Sequence, residues 1–252
     1  MRELLGLWVA VVLAVSACSP EQTSEPPVSS PSVGGTPYAI PDNTDYNYRW
    51  SADPGIDLLT PEATAVRAYV ESYYLTVRAI ATSAGYPGFE EAVDERLRMD
   101  YDNLDQLDRS HYVGTQFQHL LWMTPTERGW FATVCTGDYS VMSEGPDGRF
   151  FNVGSTNLHA ETVEIAAPDF RGINAHVALP AEGPERAPAV DVFRGWKLID
   201  HVKSARNQDA FLQCRSRMPD PPQNRPLKRG LPHDTPYPTL APYPGWPRYD
   251  ES

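Results

Sequence analysis

The chain has 252 residues, of which 41% are apolar, with 21 Lys plus Arg against 33 Asp plus Glu for a net charge of −12, 25 prolines and three cysteines. That length provides one domain, or one domain with tails, and apolar residues enough for a sizeable core. The acidic balance argues against nucleic-acid binding, which needs clustered cations to displace counterions, and against electrostatic docking on an anionic membrane.

The N-terminus reads Met-Arg-Glu and then runs uncharged from Leu4 to Val15. A spanning helix needs about 20 apolar residues, whereas a secretory h-region needs roughly 7–15 followed by small residues. Ser16 and Ala17 are those small residues, and Cys18 follows them. Val15-Ser16-Ala17-Cys18 resembles the lipobox of bacterial lipoproteins. The resemblance implies a signal peptide over 1–17 and an acylated Cys18 as the first mature residue. It also implies a protein anchored in the cell membrane, facing the extracytoplasmic side. The whole layout resembles exported actinobacterial lipoproteins. Two acyl chains hold such a protein on a membrane without a spanning helix. With Cys18 set aside, Cys135 and Cys214 remain as an even pair in an oxidising compartment. A disulfide between them closes a loop of about 80 residues, worth roughly 4–5 kcal/mol of denatured-state entropy.

Prolines divide the rest. Ser19–Pro61 holds eight, Glu62–Met218 seven, and Pro219–Ser252 ten. Residues 18–59 therefore read as lipidated Cys plus Ser/Pro-rich tether, disordered to about Thr36. Tyr38, Ile40, Tyr46, Tyr48 and Trp50 then crowd into 13 residues, and this part is expected to lie against the domain. Residues 60–218 form the domain and 219–252 a Pro/aromatic-rich tail. Pro236-Tyr237-Pro238 and Pro242-Tyr243-Pro244-Gly245-Trp246-Pro247 favour extended polyproline II. This tail either presents a partner-binding motif, wraps back over the domain, or stays disordered.

The domain opens with a helix over Pro61–Ala84. Thr60 is placed to cap, Pro61 suits the first helical position and Glu62 suits the positive end of the helix dipole. Val66, Val70, Tyr73 or Tyr74, Val77, Ile80 and Ala84 supply an apolar stripe, with Arg67, Glu71 and Arg78 mostly elsewhere around the helix. Gly85-Tyr86-Pro87-Gly88 stops it. A weaker helical pattern runs from Phe89 through Val93, Leu97 and Tyr101 to Leu104; its acidic residues read as a solvated face. Strands are expected at 113–123, 130–142, 149–165, 173–179 and 190–202, with a hairpin turn at Glu144–Gly148 and a short closing segment at Asp209–Cys214.

Helices first and an antiparallel meander after them give an α+β fold, amphipathic helices packed on a curved antiparallel sheet. The Pro61–Ala84 helix and the final Phe193-Arg194-Gly195-Trp196-Lys197-Leu198-Ile199-Asp200 strand weakly resemble the cone-shaped fold of nuclear transport factor two and its relatives, over about Thr60–Val202.

No nucleophile elbow, phosphate loop, His-Glu-x-x-His, Cys-x-x-Cys or dinucleotide fingerprint occurs. No cofactor or metal is expected, since the six histidines are scattered. The polar residues left on strands are Asp138, His159, His176, Asp200 and His201. Some enzymes of the cone-shaped fold use an Asp and a His as base and acid; that resemblance puts Asp138 with His159 or His176 in those roles. Asp200 and His201, being adjacent, point to opposite faces. Trp122, Trp130, Phe131, Phe150, Phe151 and Trp196 read as core between sheet and helix. The leading functional expectation is a non-catalytic lipoprotein domain binding a protein partner or an apolar ligand, and the alternative is a small acid/base enzyme.

Overall fold

A computed structural model describes residues 38–97, 110–153, 158–168, 181–202, 208–220, 225 and 231–248. The signal peptide, Cys18, the tether to Thr36, the helical pattern beyond Leu97 as far as Leu104, and the strand at 173–179 with His176 lie outside the described residues.

The architecture is α+β on a six-stranded open sheet. In chain order the elements are β1 (Thr44–Ala52), α1 (Pro61–Ala79), a one-turn α2 (Phe89–Ala92), β2 (His111–Pro125), β3 (Gly129–Glu144), β4 (Phe150–Asn152), β5 (His159–Ala166), β6 (Lys197–Val202) and α3 (Gln208–Arg217). The strands lie in the order β1-β2-β3-β5-β6, with β4 also on β3. The sheet is mixed and not purely antiparallel, because β1 runs parallel to β2 from Thr44 opposite Tyr112 to Ala52 opposite Leu120. A parallel neighbour needs a long crossover, and α1 supplies it. The aromatic stretch before Trp50 is thus an integral strand. With the segment 231–248 it widens the packed region past the 60–218 span.

α1 begins as its sequence dictates: Thr60 Oγ1 accepts the Ala63 amide at 3.3 Å, and Pro61 sits at the first turn. It ends at Ala79, earlier than the apolar stripe suggests, because Ile80 takes a left-handed conformation (φ 54°) and its N–H closes onto the Thr76 carbonyl. Among the described residues the second helical pattern gives the single α-helical turn of α2 and a 3-10 turn at Glu95–Leu97. Val93 leaves α2 to bridge Leu198 of β6, an apolar residue claimed by the sheet edge.

Period-two alternation sorts the strands onto two faces. Tyr46, Tyr48 and Trp50 (β1), Leu120 (β2), Ala132 and Val134 (β3), Val163 and Ile165 (β5) and Leu198 (β6) meet Val66, Tyr69, Val70 and Tyr73 of α1. On the other face Phe117, Leu121, Cys135 and Tyr139 pack with Ala210 and Cys214 of α3 and with Met218. The Cys135–Cys214 disulfide, with Cα atoms 5.3 Å apart, ties α3 to β3. Trp130 and Trp196 pack half-buried against the α1-side core and Trp122 half-buried against the α3-side core, at the margins and not within the core expected of them. Phe131 is exposed instead, and Phe150 and Phe151 are half-buried on the short β4. The Glu144–Gly148 hairpin forms, its Gly145 amide donating to Arg149 at 2.8 Å.

Past its first turn, the charged residues of α1 do not face water. Arg67 and Glu71 are 0% and 1% exposed, because the helix is covered behind by the loop at 181–187 and by the C-terminal segment. That segment chooses one of its three options: among the described residues, 231–248 wraps back over the domain. His233 pairs with Phe150, the Thr239 hydroxyl accepts the Gly114 amide, and Tyr243 pairs with Arg49 on the free edge of β1. Gly114 (φ 109°) is required there, since a Cβ would lie 2.2 Å from the Ser140 carbonyl oxygen. The proline-rich segment so blunts an edge strand that would otherwise offer unpaired backbone groups.

At the end of this path Trp246 enters the core, 1% exposed. Its indole N–H donates to Glu71 Oε2 at 2.8 Å; the Tyr86 hydroxyl donates to the same oxygen at 2.7 Å and Trp50 Nε1 to Oε1 at 2.6 Å. The Arg67 guanidinium stacks 4.7 Å over the indole and donates to the Ala181 and Pro244 carbonyls. Burial pushes the Glu71 carboxyl above its ordinary 4.5, against the opposing pull of Arg67 and the three donors. An acid raised in the folded state contributes stability that is complete below pH 4.5 and is lost as pH rises through its folded value. Melting temperatures taken from pH 4 to 8 are therefore expected to fall less steeply in Glu71→Gln than in the parent protein; parallel profiles would contradict this.

Candidate functional site

The sheet face under α1 carries a polar patch amid the apolar core. Gln116 and Gln118 on β2, Thr136 and Asp138 on β3, and His159 and Glu161 on β5 all project toward this face, and β6 adds His201. Tyr69, Tyr74 and Arg78 descend on it from α1.

Two sub-clusters differ in how fully they are paired. In the first, Glu161, 2% exposed, takes the Tyr74 hydroxyl on Oε1 and lies 3.1 Å from His201 Nε2 through Oε2. His201 Nδ1 stands 2.8 Å from the Tyr69 hydroxyl. With Nε2–H donated to the carboxylate, Nδ1 is the acceptor for Tyr69, so the chain Tyr69, His201, Glu161, Tyr74 is closed at both ends by phenols. The Tyr73 ring packs edge-on to the imidazole at 4.8 Å. Such a saturated network rigidifies the contact between helix and sheet. His201 does face α1 while Asp200 lies on the opposite face, in a surface groove with Arg96, Arg128 and Glu164, as strand alternation requires.

The second sub-cluster is underpaired. Thr136 Oγ1 donates to Gln118 Oε1 at 2.7 Å and Arg78 reaches Gln116 Oε1 at 3.4 Å. Arg78 lies between the Tyr46 and Tyr112 rings, 4.9 and 4.7 Å from their centroids. Gln116 Nε2, Gln118 Nε2, Arg78 Nε and Asp138 Oδ1 are buried without a hydrogen-bond partner among the described residues. Burial pushes the Asp138 carboxyl above its ordinary 3.8, opposed by the charges of Arg78 and His159. Asp138 and His159 do belong to one patch, on adjacent strands, with His159 at its exposed margin. An unpaired buried donor or acceptor costs about 1–3 kcal/mol, so four in one patch call for a polar guest, water or solute.

Glu161 escaped sequence reasoning, although its alternation with the inward Val163 and Ile165 carried the signal. Gln116 and Gln118 carried the same kind of signal from their alternation with Leu120. Among the described residues no group of three or more His, Cys, Asp or Glu is arranged to hold a metal ion. None of their helices is long and apolar enough to cross a membrane. No protein-family model, curated protein or solved structure matches the chain.

Proposed function

We propose that this chain is a lipid-anchored lipoprotein on the extracytoplasmic side of the cell membrane, and that the polar patch under α1 is a site that binds a small polar solute without turning it over. The anchoring rests on Val15-Ser16-Ala17-Cys18 and the proline-rich tether behind it. The binding rests on one observation, the patch of buried unpaired groups at Arg78, Gln116, Gln118 and Asp138. Two amide donors and a guanidinium suit a carboxylate or carbonyl, and an acceptor carboxyl beside them suits a hydroxyl or amine; hydroxy acids and amino acids combine both. This chemistry favours a polar guest over the apolar one that aromatic composition suggests, because the aromatic residues under α1 are packed in the core.

Two measurements test the reading. Cys18→Ala is expected to move the protein from the membrane fraction to the soluble fraction, and a variant that stays in the membrane fraction overturns the anchor. A panel of hydroxy acids and amino acids is expected to raise the melting temperature of the parent protein by several degrees at millimolar concentration, through ligand linkage. That rise disappears in Gln118→Leu. The acid/base alternative draws on the elevated Asp138 beside His159; solute turnover that is lost in Asp138→Asn selects it over simple binding.

A further inference from the structure

On the opposite face of the sheet, away from the polar patch, the parallel β1–β2 pair brings a second constellation together. Ser51 and His119 are register partners. Ser51 Oγ lies 2.8 Å from His119 Nδ1, and His119 Nε2 lies 3.1 Å from Asp53 Oδ1 in the turn after β1. The His119 side chain is 5% exposed, that of Asp53 18%, and Ser51 is half-buried at the end of its strand next to the exposed Pro54 and Gly55.

The hydrogen bonds fix their own direction. A carboxylate only accepts, so the imidazole proton sits on Nε2 and is donated to Asp53. That leaves the Nδ1 lone pair to accept the Ser51 hydroxyl. This is the arrangement of nucleophile, base and orienting carboxylate that activates a serine, recognised by geometry and role and independent of chain order. Burial also holds the His119 imidazole below its ordinary value despite the pull of Asp53, with Arg217 of α3 adding to the lowering, so the base is neutral at physiological pH. Arg217 Nε stands 3.6 Å from Asp53 Oδ1 and pins the carboxylate from the α3 side.

We propose that Ser51, His119 and Asp53 form a second, hydrolytic site that takes small carboxylic esters. Ser51 Oγ bonds to the ester carbonyl carbon while its proton passes to His119 Nδ1. The carbon–oxygen bond to the alcohol then breaks, and the alcohol leaves with that proton. Water repeats the cycle on the acyl-serine: one of its protons goes to His119 Nδ1, its oxygen bonds to the acyl carbon, the carboxylic acid departs and Ser51 regains its proton. The net reaction is ester plus water to acid plus alcohol. Ser51 is the nucleophile, His119 the base, and Asp53 a positioning residue that selects the Nε2–H tautomer.

The test uses the full-length protein and an alkyl fluorophosphonate, with p-nitrophenyl acetate as the substrate probe. Peptide mass spectrometry is expected to place one phosphonyl adduct on Ser51, and the parent protein to hydrolyse the ester above the buffer rate. Ser51→Ala abolishes the adduct, and Asp53→Asn, which keeps the shape but reverses the tautomer, slows hydrolysis by about 100-fold or more. A merely structural serine clamp between β1 and β2 gives no adduct and no turnover in the parent protein, and that result overturns the proposal. Turnover that persists in Ser51→Ala overturns it too. Solute binding at Arg78 and Gln118 is unaffected by either outcome, so the two sites stand or fall separately.

Discussion

Replacing Trp246 with Ala is expected to lower the stability of the domain by about 3–5 kcal/mol, the usual cost of truncating a buried indole. At roughly 2–4 °C per kcal/mol for a chain of this size, the melting temperature drops by about 10 °C. The residue fills the space between Glu71, Tyr86 and Arg67, with its ring edge-on to Tyr86 at 5.6 Å, and supplies one of three donors to a buried carboxyl. Trp246→Phe separates the two roles. It keeps most of the volume and removes only the N–H, so its expected cost is about 1.5–3 kcal/mol, the range for a hydrogen bond to a charged group. Thermal or urea unfolding of the two variants against the parent measures both. A Trp246→Ala protein as stable as the parent would mean that the C-terminal segment is a passive covering.

Removal of the Cys135–Cys214 disulfide should have an effect of similar size. The two residues are 79 apart in sequence, and releasing a loop of that length returns roughly 4–5 kcal/mol of entropy to the denatured chain. Cys135→Ala with Cys214→Ala is the appropriate double variant, because both sulfurs are fully buried among apolar neighbours and a serine would bury a hydroxyl. The loss should be local as well as global. Of the ten residues of α3 only Ala210 and Cys214 are buried, and Leu212 is 51% exposed, so little apolar area holds the helix once the cross-link is gone. Hydrogen exchange is expected to rise first in Gln208–Arg217 while β2 and β3 keep their protection. Uniform loss across sheet and helix would contradict that picture.

Local signals were legible where the physics is local. The Thr60-Pro61-Glu62 start of α1, the opposite aims of Asp200 and His201, and the pairing of two cysteines by parity all follow from residues within a turn or from simple counting. What escaped depends on distant partners. Arg67 and Glu71 read as polar flanks of an amphipathic helix, and only the return of Trp246, 175 residues beyond Glu71, turns that flank inward. The parallel pairing of β1 is equally invisible in its own alternation, which shows a two-faced strand but not its neighbour's direction. At the candidate site, Asp138 and His159 came forward as strand-borne polar residues. Gln116 and Gln118 did not, because amides carry no motif and their meaning lies in two Nε2 donors without a partner among the described residues. Ser51 and Asp53 likewise carry no signature until His119 is brought alongside.

The seating of Trp246 also bears on how the chain reaches its native state. The α1 core is bounded by β1 and, far along the chain, by Trp246, so one donor to Glu71 joins through a contact between segments 175 residues apart. Contacts of long sequence separation form late and slowly, since loop-closure entropy is spent before packing compensates for it. A chain halted before Trp246 can pair β2 with β3, yet it leaves the Glu71 carboxyl short of a donor and the outer side of α1 open. Arrival of the segment that carries Trp246 is therefore expected to complete the packing around α1, a late step that depends on a contact 175 residues away in sequence.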